Sequence, residues 1–186
     1  MRYSTEHKAQ TRDKLLASSG ALAKRGGFSA TGVDGLMKAI GLTGGAFYGH
    51  FASKDALFAA IVERELSHSV ALLGSDGSAG DKLQRCLDIY LTMQHVEQPD
   101  SGCALPTLGA EIARADRAVR ENAEHWLVRL QQAWGEVLGD PQMAWAILAQ
   151  CVGALLVARM LATPQRQEEV LNASRRLLDR QLANGG

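Results

Sequence analysis

Aromatic side chains make up only 5% of this 186-residue chain. No segment alternates apolar and polar residues with the period of two that a half-buried strand needs. The apolar share, 46%, is dominated by Ala and Leu, which favour helix. Cysteine is scarce too. Cys86, Cys103 and Cys151 are odd in number, and their spacings of 17 and 48 match no zinc or CxxC pattern. That argues against a disulfide framework and fits a reducing, cytoplasmic setting. An excess of charge is absent, since 20 Lys and Arg balance 20 Asp and Glu. The stretch Met1 to Gln10 is polar and carries no signal-peptide apolar run. No Ser/His/Asp set or phosphate loop is visible, and His68, His95 and His125 have no metal-ligand spacing. Neither an enzyme nor a metal or cofactor protein is expected. The longest uncharged stretch, Pro141 to Ala158, carries Gln142, Gln150 and a central Gly153. It reads as a helix buried in protein rather than a membrane span.

The length suits one domain or two small ones, large enough to bury roughly 70% of the unfolded surface. The balanced charge hides an asymmetry. Residues 1–54 hold eight Lys/Arg against three Asp/Glu, and the rest of the chain holds twelve against seventeen. A basic head on an acidic body suits an anionic partner for the head.

Gly and Pro punctuate a helical pattern along the whole chain, giving about nine helices. The first spans roughly Glu6 to Arg25 and ends at Gly26-Gly27. A short second, Gly32 to Ile40, has Thr31 placed to cap it and stops at Gly41. A third, Gly44 to His50, has Thr43 as cap, and a fourth, capped by Ser53, continues to about Leu73. Gly74 to Gly80 reads as a linker. Five further helices are expected: Asp81 to Glu97, Ser101 to Ala113, Asp116 to Leu138, Pro141 to Leu161, and one starting at Thr163-Pro164.

Two short helices joined by a tight Gly turn make a helix-turn-helix, whose second helix would enter the DNA major groove. Thr43, Tyr48, His50 and Lys54 supply groups that can donate to phosphates. From Lys8 to Leu57 the chain resembles the DNA-binding domain of the TetR/AcrR family of bacterial repressors. The resemblance is carried by Thr11-Arg12, Gly26-Gly27-Phe28, Val33, Ile40-Gly41-Leu42-Thr43, Gly45-Ala46-Phe47-Tyr48-Gly49-His50-Phe51 and Ser53-Lys54-Asp55-Ala56-Leu57. It implies an all-α protein, with a three-helix DNA-binding domain over residues 1–53 and a helical ligand-binding and dimerisation domain over 54–186. It also assigns roles. Thr31, Thr43, Tyr48, His50 and Lys54 would contact phosphates, while Phe47 and Phe51 lock the helix to the core. Gly44, Gly45 and Gly49 are unusual in a helix, and they suggest close backbone approach to DNA.

The same resemblance implies a homodimer built by the last two helices, bound to an operator in double-stranded DNA. The eighth helix, apolar nearly all round, agrees. Ile147, Cys151, Ala154, Leu155, Leu171, Ser174 and Leu178 are the expected interface. A pocket among helices four to eight would be lined by Leu66, Val70, Tyr90, Met93, His95, Cys103, Leu108, Trp126 and Trp145. That mixture is apolar and aromatic, so a small hydrophobic or aromatic inducer is expected. Two rival readings share these residues. One is a helical small-molecule-binding or protein-interaction dimer without DNA binding. The other is an electrophile or oxidant sensor using Cys103, which sits near a predicted helix start where a thiolate is stabilised.

Overall fold

The computed structural model describes residues 5–73 and 79–184. Among them the chain is all helix and turn, in ten helices. They are α1 (Thr5–Gly26), α2 (Val33–Lys38), α3 (Gly44–Phe47), α4 (Lys54–Leu73), α5 (Ala79–Tyr90), α6 (Met93–Glu97), α7 (Leu105–Arg114), α8 (Arg117–Leu138), α9 (Pro141–Met160) and α10 (Pro164–Asn184). Most of the expected linker, residues 74–78, lies outside the described residues, as does the Gly185-Gly186 end. Residues 79 and 80 already belong to α5.

Local chemistry sets most boundaries. Ser53 Oγ accepts from the Ala56 N–H at 3.0 Å and caps α4. Asp116 caps α8 through the Val119 N–H, and Asp140 caps α9 through Gln142 and Met143. The N-cap of α2 is Gly32 and not the expected Thr31, whereas Thr43 is the N-cap of α3 as expected, though without a side-chain cap bond. Ser101 caps nothing, because its hydroxyl turns back to Gln98 O, and α7 starts only at Leu105 after Ala104. The expected single helix from Asp81 to Glu97 is two. Thr92 adopts extended backbone and its side chain accepts from His95 N, so α6 starts afresh.

Two buried cores result. The first gathers Leu15, Leu36, Met37, Phe47, Phe51, Leu57 and Ile61 from α1–α4 and continues into Leu108, Ile112, Val119 and Ala123 of α7 and α8. The packing of the head therefore does not stop at residue 53. Phe47 is wholly enclosed, and burying such a ring contributes about 2–3 kcal/mol. The second core joins Leu83 and Leu87 of α5 to Leu130 and Trp134 of α8, Ile147 and Leu155 of α9, and Leu171 and Leu178 of α10.

Helix α9 is long and apolar enough to cross a membrane by length and composition, yet it packs as a core helix between α8 and α10. It carries two apolar faces. Ile147, Cys151, Ala154 and Leu155 look inward, with Leu171, Ser174 and Leu178 of α10 against the same core. All seven expected interface residues are therefore buried within one protomer and have no area left to offer a partner. The opposite face of α9 leaves Trp145, Leu156, Val157 and Met160 exposed, beside Leu177 of α10. Trp145, Leu156 and Met160 follow i, i+11, i+15 spacing, a single stripe.

Candidate DNA-binding surface and ligand cavity

The turn between α2 and α3 is closed by glycine. Gly41 has φ +74°, its N–H reaches Lys38 O at 3.1 Å, and the Leu42 N–H reaches Met37 O at 2.9 Å. This is a Schellman stop, which a residue with a Cβ adopts only at a cost. Helix α3 then presents its buried side through Phe47, with Phe51 6.0 Å away between ring centroids. Its outer side is bare. Tyr48 is 70% exposed with its ring edge-on to Phe47, and Thr43, Gly45 and Gly49 are exposed as well. Gly45 has open space where a Cβ would stand. Gly44 does not, because a Cβ there would run into the Asp34 carboxylate of α2. Its missing side chain is thus explained inside the helix-turn-helix, and the expected approach to DNA is not needed to account for it.

Of the two donors expected at the edge, Lys54 is partly occupied and His50 is not. Lys54 Nζ donates to Ser29 O at 3.2 Å and stands 4.8 Å above the Phe28 ring. His50 is half-buried, with a buried Nδ1 that has no hydrogen-bond partner, and burial followed by the Lys8 and Arg12 charges lowers its pKa. Both effects favour the neutral imidazole over the cation. Thr31 is half-buried ahead of α2. The basic head is also thinner than the sequence count suggests. Lys24 is buried against Glu65, and Arg25 pairs with Asp100. Lys8, Arg12, Lys14 and Lys38 remain exposed.

Behind the head lies a cavity of about 570 Å³, a usual size for a small-molecule site. Of the expected lining, Tyr90, His95 and Cys103 do face it. Leu66 and Leu108 are instead packed into the first core, with Trp126 against it; Val70 and Met93 pack on the second core; Trp145 is on the surface. The walls also include Leu105, Leu130, Trp134 and Leu148, all three cysteines, and the charged groups Lys24, Glu65 and Arg85. Sequence reasoning passed over those charges. For Lys24 a signal existed: it follows Leu16 and Gly20 at intervals of four, on the apolar side of α1.

The inner wall is fixed by a histidine. His95 Nδ1–H donates to Tyr90 O at 2.8 Å, while Nε2 accepts the Cys103 N–H at 2.9 Å. The second bond requires the neutral ring; burial, the chief cause, lowers its pKa, while the bond to Tyr90 O acts in the opposite direction. A Cβ on Gly102 would overlap that ring. Gly102→Ala should therefore break both bonds and cost about 2 kcal/mol. An unchanged denaturant midpoint in this variant would show that the ring is free to move. Cys103 precedes α7 rather than capping it, and burial raises its thiol pKa, as it does for Cys86 and pushes Cys151 up to about 12. Burial thus favours the protonated Cys103 thiol over the expected stabilised thiolate.

Head and cavity share walls. Lys24 of α1 donates to Glu65 of α4 at 2.7 Å and to Gly102 O at 3.0 Å. Glu111 of α7 accepts from Phe28 N at 2.8 Å, Ser29 N at 2.9 Å and Ser29 Oγ at 2.6 Å. The turn after α1 is thus held by the helix that begins at the cavity.

Known proteins are similar in sequence and in fold. The family model for bacterial regulatory proteins of the tetR family matches residues 15–61. The HTH-type transcriptional repressor NemR of Escherichia coli K12 is 27% identical over 185 residues, spanning 90% of this chain and 92% of NemR. The crystal structure of the reduced form of E. coli NemR shares the fold with a TM-score of 0.74 at 25% identity, covering 92% of this chain and 96% of that one. A TetR transcriptional regulator from Legionella pneumophila gives 0.76 at 21% identity, covering 97% and 98% of the two chains. At that identity the likeness is one of fold. With its Schellman-closed helix-turn-helix, the segment 15–61 is a DNA-binding domain of the tetR family type, and the all-helical chain as a whole is similar in sequence to the repressor NemR and in fold to TetR regulators.

Proposed function

We propose that the chain is a cytoplasmic repressor that binds its operator as a homodimer and is released when a small molecule fills the cavity. Residues 1–53 serve as the reading head and 54–186 as the sensing and dimerising body. Thr31, Thr43, Gly45, Tyr48, His50 and Lys54 make the DNA surface, chiefly to phosphates, which orient a protein on the duplex. The observation that carries the reading is the shared wall. Lys24 belongs to the first helix of the head and lines the cavity, so occupancy there bears directly on the seat of α1. A ligand that prefers one setting of that seat must shift DNA affinity in proportion to its preference. The exposed apolar stripe of Trp145, Leu156 and Met160 is the natural dimer face.

The test is binding to duplex DNA from the gene's own upstream region across a salt series. Tight, sequence-selective binding with a steep salt slope is expected. Tyr48→Ala should weaken it by roughly tenfold, the size of one hydrogen bond to a charged group, without lowering thermal stability. Weak binding to every duplex, or wild-type affinity in the variant, would count against the reading and favour a ligand-binding dimer without a DNA role.

A further inference from the structure

The cavity is not neutral. Glu65 is the one carboxylate among its described walls, and it is already engaged by Lys24. Arg85 also lines the cavity and has no ion pair among the described residues. Behind His95, the half-buried Arg159 gives its guanidinium to His95 O at 2.7 Å and Thr107 Oγ1 at 3.1 Å, both uncharged acceptors. Its Nε is buried without a partner. The field inside is therefore positive, carried chiefly by the half-buried Arg159 among apolar walls such as Leu130, Trp134 and Leu148, since Arg85 stands at the exposed rim where water screens it. Lys24 adds a specific acceptor site. Its ammonium is 6% exposed by residue and has three donors, of which Glu65 and Gly102 O take two.

We propose that the cavity takes a small organic anion, an apolar body ending in one carboxylate, and that Lys24 receives the carboxylate. This rests on the reading of the cavity as the ligand site. An uncharged ligand leaves the cationic excess uncompensated, and a cationic one adds to it, with only an engaged carboxylate to meet it. A carboxylate satisfies the third donor of Lys24 and offsets Arg85 and Arg159. It also competes with Glu65 for the same ammonium. Since Lys24 sits on α1 and Glu65 on α4, an anion on Lys24 loosens the tie between the first helix of the head and the helix leading out of it. The charge of the ligand is thereby converted into a change in how the head is held.

The experiment compares 1-naphthoate with 1-naphthamide, the same body with and without the charge, by calorimetry on the full chain at pH 7. Naphthoate should bind roughly tenfold or more tightly, the advantage of a charge-assisted contact in a buried setting. Glu65→Gln, which removes the competing carboxylate, should widen the gap several-fold. Lys24→Met should close it; if that variant does not fold, Lys24→Met/Glu65→Leu removes both charges and leaves no lone one buried. Equal affinity of acid and amide would overturn the proposal and leave the cavity reading standing. A preference for the acid that survives loss of Lys24 would overturn the role of that residue. Absence of binding by either compound would remove the cavity reading as well.

Discussion

Leu156→Glu combined with Met160→Glu should yield a folded monomer that binds operator DNA at least about a hundredfold more weakly than the wild type. Both side chains lie on the outward stripe of α9, 45% and 75% exposed, so replacing them removes no core contact. The cost falls on association alone, since like charges would face each other across any two-fold contact. Two heads on one dimer make the second half-site contact intramolecular, and losing that link forfeits roughly two to four orders of magnitude in affinity. Light scattering with DNA titration checks it. A variant that stays dimeric would place the interface elsewhere. The contrast is Leu155→Glu, one residue away and fully buried, which should unfold the body instead.

Glu111→Ala should lower the melting temperature by about 4–8 °C, corresponding to about 2 kcal/mol in a chain of this size. The carboxylate accepts from two backbone N–H groups and the Ser29 hydroxyl in the turn after α1, where Gly27 takes φ +85°. Its removal leaves those donors without a charged acceptor and loosens the polar tie between the head and α7, whose apolar contacts through Leu108 and Ile112 remain. DNA affinity should fall with it, and by more than stability alone accounts for, because the separation of α3 from the body is no longer fixed. The same group predicts an acid limit. Burial acts to raise the Glu111 pKa, but the bonds from Ser29 and Phe28 outweigh it and hold it below the ordinary value of 4.5. Its stabilisation is complete above that ordinary value and is lost as pH falls through the lowered one. Glu111→Gln should flatten the acid side of the stability profile. A profile unchanged between wild type and this variant would sink the assignment.

Much of the site was legible because its signals are local. Gly41 is required by one φ angle, and the residues that set it lie within four positions. Ser53, Asp116 and Asp140 cap helices through bonds spanning two or three residues. Tyr48 lies next to Phe47 on a short helix with a single buried side, so its exposure follows from the pattern. The cavity was less legible. Tyr90, His95 and Cys103 were found, but its charged walls depend on partners far along the chain: Lys24 on Glu65, 41 positions later, and on Gly102, 78 positions later. The spacing of four from Leu16 and Gly20 places Lys24 on the inward side of α1, but nothing local names the carboxylate it meets there. The thinner basic head has the same cause, because Lys24 and Arg25 are neutralised by distant acids that a tally by segment assigns to the body.

Helix α9 shows where the division falls. Its sequence alone determines that it is a helix, that Asp140-Pro141 begins it, and that it is apolar on nearly every side. Such a helix must be covered on two faces, and the pattern carries no sign of which face meets the protomer's own core. The stacking of α8 and α10 decided that, turning Ile147, Cys151 and Leu155 inward and leaving Trp145, Leu156 and Met160 outside. Sequence periodicity fixes angles around a helix axis. The zero of that angle is set by the neighbours, which only the tertiary structure supplies.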